Sequence, residues 1–492
     1  MKDLLKLYNP EKTGFFRFKL LNGKYLITND IGDFVLLSKK DFESFISGTI
    51  SEKSKSYSKL LAGGFIKHAA SQEAGSSNSS NLPSNISTRW ISKNSYLFIG
   101  PSLHIIVLTR RCNLSCVYCH AGADLSSDTD MTEDTARHVL DIIFKSPSPA
   151  ISIEFQGGEP LLNWPVLSFI VVEARKRAAK IGKDLVISLV TNFMAMTEEK
   201  LRFLSQHSVR ICSSLDGPKS LHNKNRVYAK GKGDSHAAVV KWIKKIKESS
   251  DNAFSSVDAL LTITRSSLSK PKQIVDEYVR LGMNGIYIRF LNPFGAAKLA
   301  WDDIGYLPSE YLDFYKKALD YIIELNNSGQ STIIEHTARI LLKKIFGRSD
   351  PNFLDLRSPC GAGIGQIAYN YDGSVYTCDE GRMLAAMGDV SFCMGDVNKN
   401  NYRQLITSPA VKCLVTASIN DLQPLCSSCA YKPYCGICPI FNYSEHGDLF
   451  MHGANYRCKI YEGILDHLFS LMSDKKILKL FQAWVEKQPE EN

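Results

Sequence analysis

The chain has 492 residues, of which 44% are hydrophobic and 22% are charged, and these proportions are typical of folded globular proteins. At this length we expect about three domains. The formal charge of +9 is modest and forms no long block of like charges, so it gives no reason to expect a nucleic-acid partner. The first ten residues are charged where a signal peptide needs an apolar run, and no long apolar stretch follows. We therefore expect a cytoplasmic protein without a membrane partner.

Residues 1–70 are predicted to form a small α+β module. Two apolar runs between Phe15 and Ile27 are separated by Asn22-Gly23, which is the pattern of a β-hairpin. Ser38, followed by polar residues and then Phe42, is typical of a capped helix start. The next segment is rich in Ser and Asn, so residues 71–95 are predicted to be a flexible linker that separates this module from the rest.

Residues 96–350 show apolar runs that alternate with helical patterns. The runs lie at 103–108, 151–155, 185–190, 209–214, 256–264 and 286–291, and the helical patterns lie near 132–145, 166–181, 197–206, 235–249 and 271–281. This alternation predicts an α/β fold with a parallel sheet, because parallel strands need helical crossovers. Six such units suit a partial (β/α)6 barrel similar to a TIM barrel. Chemistry in such barrels lies where the strands end.

Three cysteines follow the first predicted strand as Cys112-x3-Cys116-x2-Cys119. The chain has 13 cysteines, and in a cytoplasmic protein clustered cysteines are more often metal ligands than disulfides. Three thiolates at this spacing can hold three corners of a 4Fe–4S cluster and leave the fourth iron open for a small molecule. The alternative is a zinc site with His120 as the fourth ligand.

With Tyr118 before its last cysteine, the motif resembles the C-x3-C-x-aromatic-C signature of the radical S-adenosylmethionine superfamily. The resemblance implies two cofactors, a 4Fe–4S cluster and S-adenosyl-L-methionine, whose methionine amine and carboxylate chelate the open iron. It also implies the chemistry: reduction splits the sulfonium and yields a 5′-deoxyadenosyl radical, which abstracts hydrogen.

Further motifs follow the later strands. Gly157-Gly158-Glu159-Pro160 matches the family's GGEP element, in which glycine amides let a ligand approach and the glutamate takes the methionine ammonium. Asn192 and Ser214, which lie at the ends of the third and fourth strands, are implied cofactor contacts, and Asn292 after the sixth strand is expected to touch adenosine. Arg226 matches an arginine that is common in the family just beyond the turn after the fourth strand. The alternative interpretation of Arg226 is a solvated surface charge. Asp216 is either part of the site or an ordinary turn residue.

The C-terminal cysteines resemble the SPASM extension, which carries two auxiliary 4Fe–4S clusters. By that resemblance residues 351–465 form the auxiliary domain, followed by a C-terminal helix and tail over 466–492. The implied outer ligands are Cys426, Cys429, Cys435 and Cys458, and the implied inner ligands are Cys360, Cys378 and Cys438. The last spacing is one residue shorter than usual, which weakens the assignment of Cys438. The inner cluster lacks a fourth cysteine between its first two ligands, so it has an open iron or recruits Cys393 or Cys413. The alternative is a pair of zinc ribbons.

Asp379 directly follows Cys378, and a carboxylate beside the inner cluster could take the proton that a substrate radical loses on oxidation. Some relatives use an aspartate at this position in that way. The alternative is a turn residue.

The resemblance implies an oxidoreductase that acts on a peptide or protein. We expect a maturase that installs a carbon–carbon, cyclophane or thioether crosslink in a ribosomally made precursor peptide, with a reductase, flavodoxin or ferredoxin as electron donor. The N-terminal module is a candidate leader-peptide binder, and the alternative is a plain structural cap. Its sequence between Phe16 and Leu37 resembles maturases of the His-Xaa-Ser system. The alternatives are an anaerobic sulfatase-maturating formylglycine generator and a non-catalytic scaffold for electron transfer or zinc-stabilised peptide binding.

Overall fold

The computed structural model describes residues 6–67, 83–123, 128–248, 257–347, 351, 356–451 and 455–486. The N-terminal module contains the strands β1 Arg17–Leu21, β2 Lys24–Thr28 and β3 Phe34–Leu37 and the helices α1 Lys39–Ile46 and α2 Tyr57–Ala62. The strands form an antiparallel sheet in the order β1-β2-β3, which confirms the predicted hairpin. Ser38 caps α1, because its hydroxyl accepts the N–H of Asp41 at 3.1 Å.

A helix, α3, spans Pro83–Lys93. Arg89 pairs with Asp33, and the Lys93 ammonium donates to the carbonyl of Pro433 at 2.8 Å. The prediction of a flexible linker over 71–95 is therefore wrong from residue 83 onward. This part is helical, and its side chains bond to the N-terminal module and to the C-terminal region. Residues 71–82 of the prediction lie outside the described residues.

The central region is built from alternating strands and helices. Its strands are β4 Leu103–Thr109, β5 Leu114–Cys116, β6 Ala150–Gly157, β7 Asp184–Thr191, β8 Val209–Ser214, β9 Arg226–Tyr228, β10 Asp258–Thr262, β11 Gly285–Arg289 and β12 Ile334–Glu335. Its helices are α4 Glu133–Ile143, α5 Trp164–Ile181, α6 Glu198–Gln206, α7 Lys219–Asn225, α8 Ser235–Glu248, α9 Pro271–Arg280, α10 Ala296–Leu299, α11 Trp301–Ile304, α12 Pro308–Asn327 and α13 His336–Phe346.

Strands β4, β6, β7, β8, β10, β11 and β12 are hydrogen-bonded side by side and parallel. The first six correspond to the six predicted strands, and the partial-barrel α/β fold is confirmed. Helices α4, α5, α6, α8 and α9 correspond to the predicted helices. The long helix α12 and the helix α13, which cover the last barrel strands, were not predicted.

The C-terminal region adds three strands to the same sheet. Its strands are β13 Gln366–Tyr369, β14 Ser374–Tyr376 and β15 Cys393–Asp396, and its helices are α14 Asp379–Ala386, α15 Tyr402–Ile406, α16 Pro409–Ala417, α17 Pro424–Ser427, α18 Pro439–His446, α19 Tyr456–Leu471 and α20 Lys475–Glu486. Because β13 pairs parallel with β4, the sheet has ten strands and runs from β12 to β15. The predicted C-terminal helix is two helices, broken between 471 and 475.

The N-terminal module packs onto the cysteine-rich region. The Lys19 ammonium contacts Glu462 and Asp466 at 2.8 and 2.7 Å, and the Thr28 hydroxyl donates to the carbonyl of Ala430 at 2.7 Å. Leu26 is fully buried and belongs to the main hydrophobic core. The module is therefore in contact with the rest of the chain and not set apart from it.

Within the described ranges no helix is both long and apolar enough to cross a bilayer.

Candidate functional site

The loop with Cys112, Cys116 and Cys119 lies at the carboxyl end of β4, where two other segments hold it. Strand β5 inside the loop pairs antiparallel with β9, and this pairing sets Cys116 opposite Arg226. On the other side, the N–H of Ala296 donates to the carbonyl of Cys119 at 2.9 Å. The loop is thus fixed on the rim of the barrel, as its position after the first strand predicts.

Hydrogen-bond donors surround the loop sulfurs. The Cys112 Sγ accepts from the N–H of Leu114 at 3.4 Å and from the Asn192 amide at 3.6 Å, and Arg226 Nη1 lies 3.9 Å from the Cys116 Sγ. Burial raises the pKa of both thiols to about 12, so a metal must displace their protons on binding. Donors aimed at sulfur are characteristic of iron–sulfur ligands, so these residues fit a cluster.

Asp216, Arg226 and Tyr118 form a buried hydrogen-bonded group behind the loop. The Asp216 carboxylate, which is fully buried, accepts from the Tyr118 hydroxyl at 2.5 Å and from Arg226 Nη2 at 3.2 Å. The Arg226 guanidinium also lies over the Tyr118 ring, 5.3 Å from its centroid. The alternative interpretations, a surface charge for Arg226 and a plain turn residue for Asp216, are wrong, because both groups are buried and paired.

Gly157 and Gly158 bring β6 against the cysteine loop. The N–H of Gly158 donates to the Thr109 carbonyl at 2.9 Å, and the N–H of Glu159 donates to the Arg111 carbonyl at 2.8 Å. A Cβ on Gly158 would lie 2.2 Å from that Arg111 oxygen. The expectation that these amides face a ligand is therefore corrected: they bond the loop that carries the cysteines, and glycine is needed because backbone meets backbone.

The Glu159 carboxylate is fully buried and accepts three hydrogen bonds, from the N–H of Leu161 at 3.1 Å, from the Thr191 hydroxyl at 2.8 Å and from the N–H of Asn192 at 2.8 Å. Burial raises its pKa to about 7. Pro160, also buried, begins the short 3₁₀ turn that follows. Glu159 thus fixes the end of β7, and its contact with a methionine ammonium stays a prediction.

Asn192 and Ser214 end β7 and β8 beside the loop. The Asn192 amide donates to the Asn113 side chain at 2.9 Å in addition to its contact with the Cys112 sulfur, so it ties the third barrel strand to the cysteine loop. Ser214 is paired with Leu260 of β10 and is 9% exposed. Both residues lie at the rim where the resemblance places them, and their cofactor contacts stay predictions.

We expect a Gly158→Ala substitution to push the cysteine loop away from β6. The added methyl group would clash with the carbonyl oxygens of Arg111 and Arg110, at 2.2 and 2.6 Å. Overpacking of this kind destabilises by about 1–3 kcal/mol, and the displaced loop should lose iron. The measurement is iron per chain after anaerobic reconstitution, together with urea unfolding. Gly182→Ala is the control, because an added Cβ there meets no atom within 4 Å. Gly182 has a φ of +67°, so this substitution adds backbone strain but no clash. Full iron content in Gly158→Ala would contradict this role.

A cavity of about 420 Å³ lies inside the barrel between the cysteine loop and the C-terminal region. Its polar wall is formed by His120, Glu154, Gln156, Arg289, Asn292, Asp379, Glu380 and Arg457. The Asp379 carboxylate accepts from Arg382 Nε at 2.7 Å, so a buried cation orients it. Asp379 is therefore part of a cavity wall as well as the first residue of α14.

His120 and Asn292 connect this cavity to the cysteine loop. His120 Nε2 lies 2.9 Å from the Asn292 carbonyl, and burial lowers the pKa of the imidazole to about 4, so it is neutral. The Asn292 side-chain oxygen is buried and lacks a hydrogen-bond partner in the described part of the chain. An unsatisfied buried acceptor facing a polar cavity suits a bound hydrogen-bond donor.

The predicted outer ligands surround a second cavity, of about 250 Å³. Cys426, Cys429, Cys435 and Cys458 all line it, and so does Cys438. The predicted inner ligands Cys360, Cys378 and Cys438 line a third, smaller cavity. The structure thus brings together both predicted sets, and Cys438 lines both cavities. The inner cavity is much the smaller, at about 10 Å³, and the donors of both sets are the thiols that iron–sulfur clusters use.

The zinc alternatives fit less well. In the ranges that the structure describes, no three His, Cys, Asp or Glu side chains are arranged to hold one metal ion. Zinc needs its donors within about 2.0–2.3 Å of a single centre, whereas a four-iron cluster takes its thiolates at separate corners. His120, the proposed fourth zinc ligand, is bonded to Asn292 instead.

Sequence reasoning missed Glu154, Arg289, Glu380 and Arg382. Glu154 and Arg289 lie on strands β6 and β11, where an inward-pointing charge in a parallel-sheet strand is a signal of function. Glu380 and Arg382 lie in α14, shortly after Cys378, and nothing in their spacing tells that Arg382 is buried or that Glu380 lines a cavity.

Residues 106–288 match the model of the radical SAM superfamily. The chain is 25% identical over 347 residues to the radical SAM cyclopropyl synthase TigE of Paramaledivibacter caminithermalis, covering 67% of this chain and 68% of TigE. It is 25% identical over 286 residues to a cysteine-type anaerobic sulfatase-maturating enzyme of Clostridium perfringens, covering 56% of this chain and 74% of that enzyme.

The fold is similar to that of native anSMEcpe, solved with bound AdoMet and Cp18Cys peptide. The TM-score is 0.61 at 20% identity, over 78% of this chain and all of that one (100%). The matched region runs from within β4 to within β11 and contains the cysteine loop. The chain is therefore a radical S-adenosylmethionine enzyme, related to enzymes that modify peptides and proteins.

Proposed function

We propose that this enzyme matures a ribosomally made precursor peptide by oxidatively installing a crosslink in it. The observation that carries the proposal is the 420 Å³ cavity, because residues that directly follow a predicted ligand of each kind of cluster line it. His120 directly follows Cys119 on one side, and Asp379 and Glu380 directly follow Cys378 on the other. A side chain placed there would lie between a radical source and an electron acceptor.

When bound, S-adenosylmethionine on a cluster at Cys112, Cys116 and Cys119 would supply the 5′-deoxyadenosyl radical, and a cluster at the inner cysteines would supply an electron acceptor. The rest falls to the chain's own residues. The cavity walls would enclose the substrate side chain, and the neutral His120 adds no positive charge there. One substrate hydrogen leaves as an atom to the adenosyl carbon. The second leaves as a proton to Asp379, with one electron removed. The product is lighter by two hydrogens and has one new bond.

We expect an Asp379→Asn substitution to separate radical formation from product formation. An amide cannot accept the proton, so crosslinked peptide should fall by about 100-fold, the lower end for a lost general base, whereas 5′-deoxyadenosine should still form. The measurement is the ratio of the two products by quantitative mass spectrometry. Asp372→Asn, in the exposed turn between β13 and β14, is the control and should leave the ratio unchanged. An unchanged ratio in Asp379→Asn would remove this carboxylate from the mechanism.

We extend the proposal to the N-terminal module, which we assign to leader-peptide binding by strand addition along β1. Phe18 and Leu20 are 40% and 59% exposed on this edge strand, and Phe15 beside them is 61% exposed. An edge strand that shows apolar side chains is suited to accept a further strand. The stretch from β1 to β3 also resembles maturases of the His-Xaa-Ser system, which would name the precursor class.

A Phe18→Asp, Leu20→Asp double substitution should weaken precursor binding at least tenfold, or about 1.4 kcal/mol. Leu20 is mostly exposed and the Phe18 ring lies 5.2 Å from that of Phe42, so urea unfolding should show a folded module of reduced stability. Fluorescence anisotropy of a labelled precursor peptide measures the affinity. Val172→Asp, on the outer face of α5 and 47% exposed, is the matched control and should bind as the unaltered protein does. Equal affinity of both variants would exclude the β1 edge.

The reaction is tested by coexpression with the short reading frames beside the gene, followed by peptide mass measurement. A loss of two hydrogens with all other atoms kept supports crosslinking. Conversion of a cysteine with loss of sulfur would instead identify the formylglycine reaction, which the C. perfringens relative makes the second candidate. No mass change in any peptide, with radical formation intact, would overturn both.

A further inference from the structure

We infer that Glu380 supplies the fourth ligand of the inner cluster, completing a set of three thiolates and one carboxylate. The inference rests on the auxiliary cluster of the proposed function and goes beyond it, because the resemblance gives only three inner ligands. It assigns to this chain a carboxylate-ligated iron that faces the reaction cavity.

The small cavity at the inner cysteines has four donor side chains in its wall. Cys360, Cys378 and Cys438 are three of them, and Glu380 is the fourth. The rest of the wall is apolar and includes Leu414 and Ile440, and the space enclosed in the metal-free chain is about 10 Å³. No other carboxylate, histidine or cysteine lines this cavity in the described part of the chain.

The elements that carry these residues converge at the inner cavity. Helix α14, which holds Glu380 in its first turn, begins directly after Cys378, and α18 begins directly after Cys438. The two helices pack against each other. A carboxylate thus accompanies the three thiols at the inner cavity.

The two cysteines that the sequence offers as a fourth ligand of the inner cluster lie away from the inner cavity. Cys393 lies in β15, packs in the cluster of Ile105 and Tyr376, and its thiol donates to the Gly395 carbonyl at 3.4 Å. Cys413 is exposed on α16. Neither lines the inner cavity, so neither can complete the inner cluster without moving its helix or strand.

The two carboxylates after Cys378 have different partners. Asp379 is paired with Arg382, whereas none of the ion pairs among the described residues involves Glu380. Glu380 is half-buried between the inner cavity and the reaction cavity, and coordination to a metal centre would stabilise a carboxylate withdrawn from water in this way. Oxygen is a harder ligand than thiolate and binds iron less tightly than sulfur does. Because Glu380 also lines the reaction cavity, the iron it holds would be the exchangeable one nearest to substrate.

The test uses the full-length chain with Cys112, Cys116 and Cys119 replaced by alanine, so that only auxiliary iron remains. Four versions are reconstituted anaerobically: this background alone, and the background with Glu380→Gln, with Glu380→Cys or with Glu154→Gln. Glu154 is the matched control, since it is a half-buried carboxylate of the reaction cavity, as Glu380 is, and does not line the inner cavity. The readouts are iron per chain and the electron paramagnetic resonance signal of three-iron clusters after mild oxidation with ferricyanide. A four-iron cluster without a fourth protein ligand loses that iron on oxidation.

We expect the background and Glu154→Gln to hold about eight irons per chain, two four-iron clusters, and to give little three-iron signal. Glu380→Gln should give a three-iron signal of about one spin per chain, and Glu380→Cys should suppress it again. Loss of the inner cluster in Glu380→Gln but not in Glu380→Cys would support the ligand equally.

The same three-iron signal in the background and in Glu380→Gln, with about eight irons in each, would overturn Glu380 and leave the auxiliary clusters in place. Loss of the inner cluster in both Glu380 variants would also overturn the ligand assignment. A background without auxiliary iron would overturn the clusters themselves and Glu380 with them.

Discussion

Joint replacement of Cys112, Cys116 and Cys119 by alanine is expected to abolish formation of 5′-deoxyadenosine. The three sulfurs lie in one loop, and protein donors from β7 and β9 are aimed at two of them. Without them no iron can be held at the end of β4, and S-adenosylmethionine has no metal to bind. Iron should fall by about four atoms per chain, one cluster. Liquid chromatography with mass spectrometry of anaerobic, dithionite-reduced reactions measures the cleavage.

Cys413→Ala is the control for that experiment, because this thiol is exposed and lines neither of the two cysteine cavities. It should keep both its iron and its cleavage activity. Cleavage that persists in the triple variant would refute the assignment of the loop.

An Arg226→Met substitution is expected to destabilise the protein by about 3–5 kcal/mol, the cost of leaving a buried charge unpaired. Arg226 is the cation bonded to the fully buried Asp216, and it also contacts the Tyr118 ring and the Cys116 sulfur. The variant should therefore unfold more easily, and its cysteine loop should be less firmly held. Urea unfolding of the iron-free chain measures the free energy, and iron per chain after reconstitution measures the loop.

The partner variant shows whether the unpaired carboxylate is the cause. In an Arg226→Met, Asp216→Asn double variant the buried charge is gone, so much of the lost stability should return. Arg226→Lys should be intermediate, because lysine keeps the charge but not the planar fork of donors. If the change in unfolding free energy of the double variant equals the sum of the changes in the two single variants, the two residues are not coupled.

The barrel strands were predictable because buried parallel strands appear as continuous apolar runs, such as 103–108 and 185–190. The cysteine loop was predictable because its ligands are close in sequence. The helices α12 and α13 were missed because they follow the last recognised strand, and no motif directs attention to them.

Contacts between distant segments could not be predicted. The need for glycine at position 158 follows from the approach of its backbone to Arg111. The role proposed for Glu380 follows from its place beside Cys438, which is 58 residues later in the chain. The same holds for β13, whose pairing with β4 joins the cysteine-rich region to the barrel sheet. Such contacts depend on tertiary packing, and the local sequence pattern carries no information about them.

The most direct test of a vacant iron corner is electron–nuclear double resonance on the reduced full-length protein with S-adenosylmethionine labelled at the methionine nitrogen and carboxylate. We predict hyperfine coupling from both labelled groups to a reduced cluster, and none in the variant that lacks Cys112, Cys116 and Cys119. Absence of coupling, with a cluster spectrum that S-adenosylmethionine leaves unchanged, would contradict the account, since it would mean that a protein side chain holds the fourth iron.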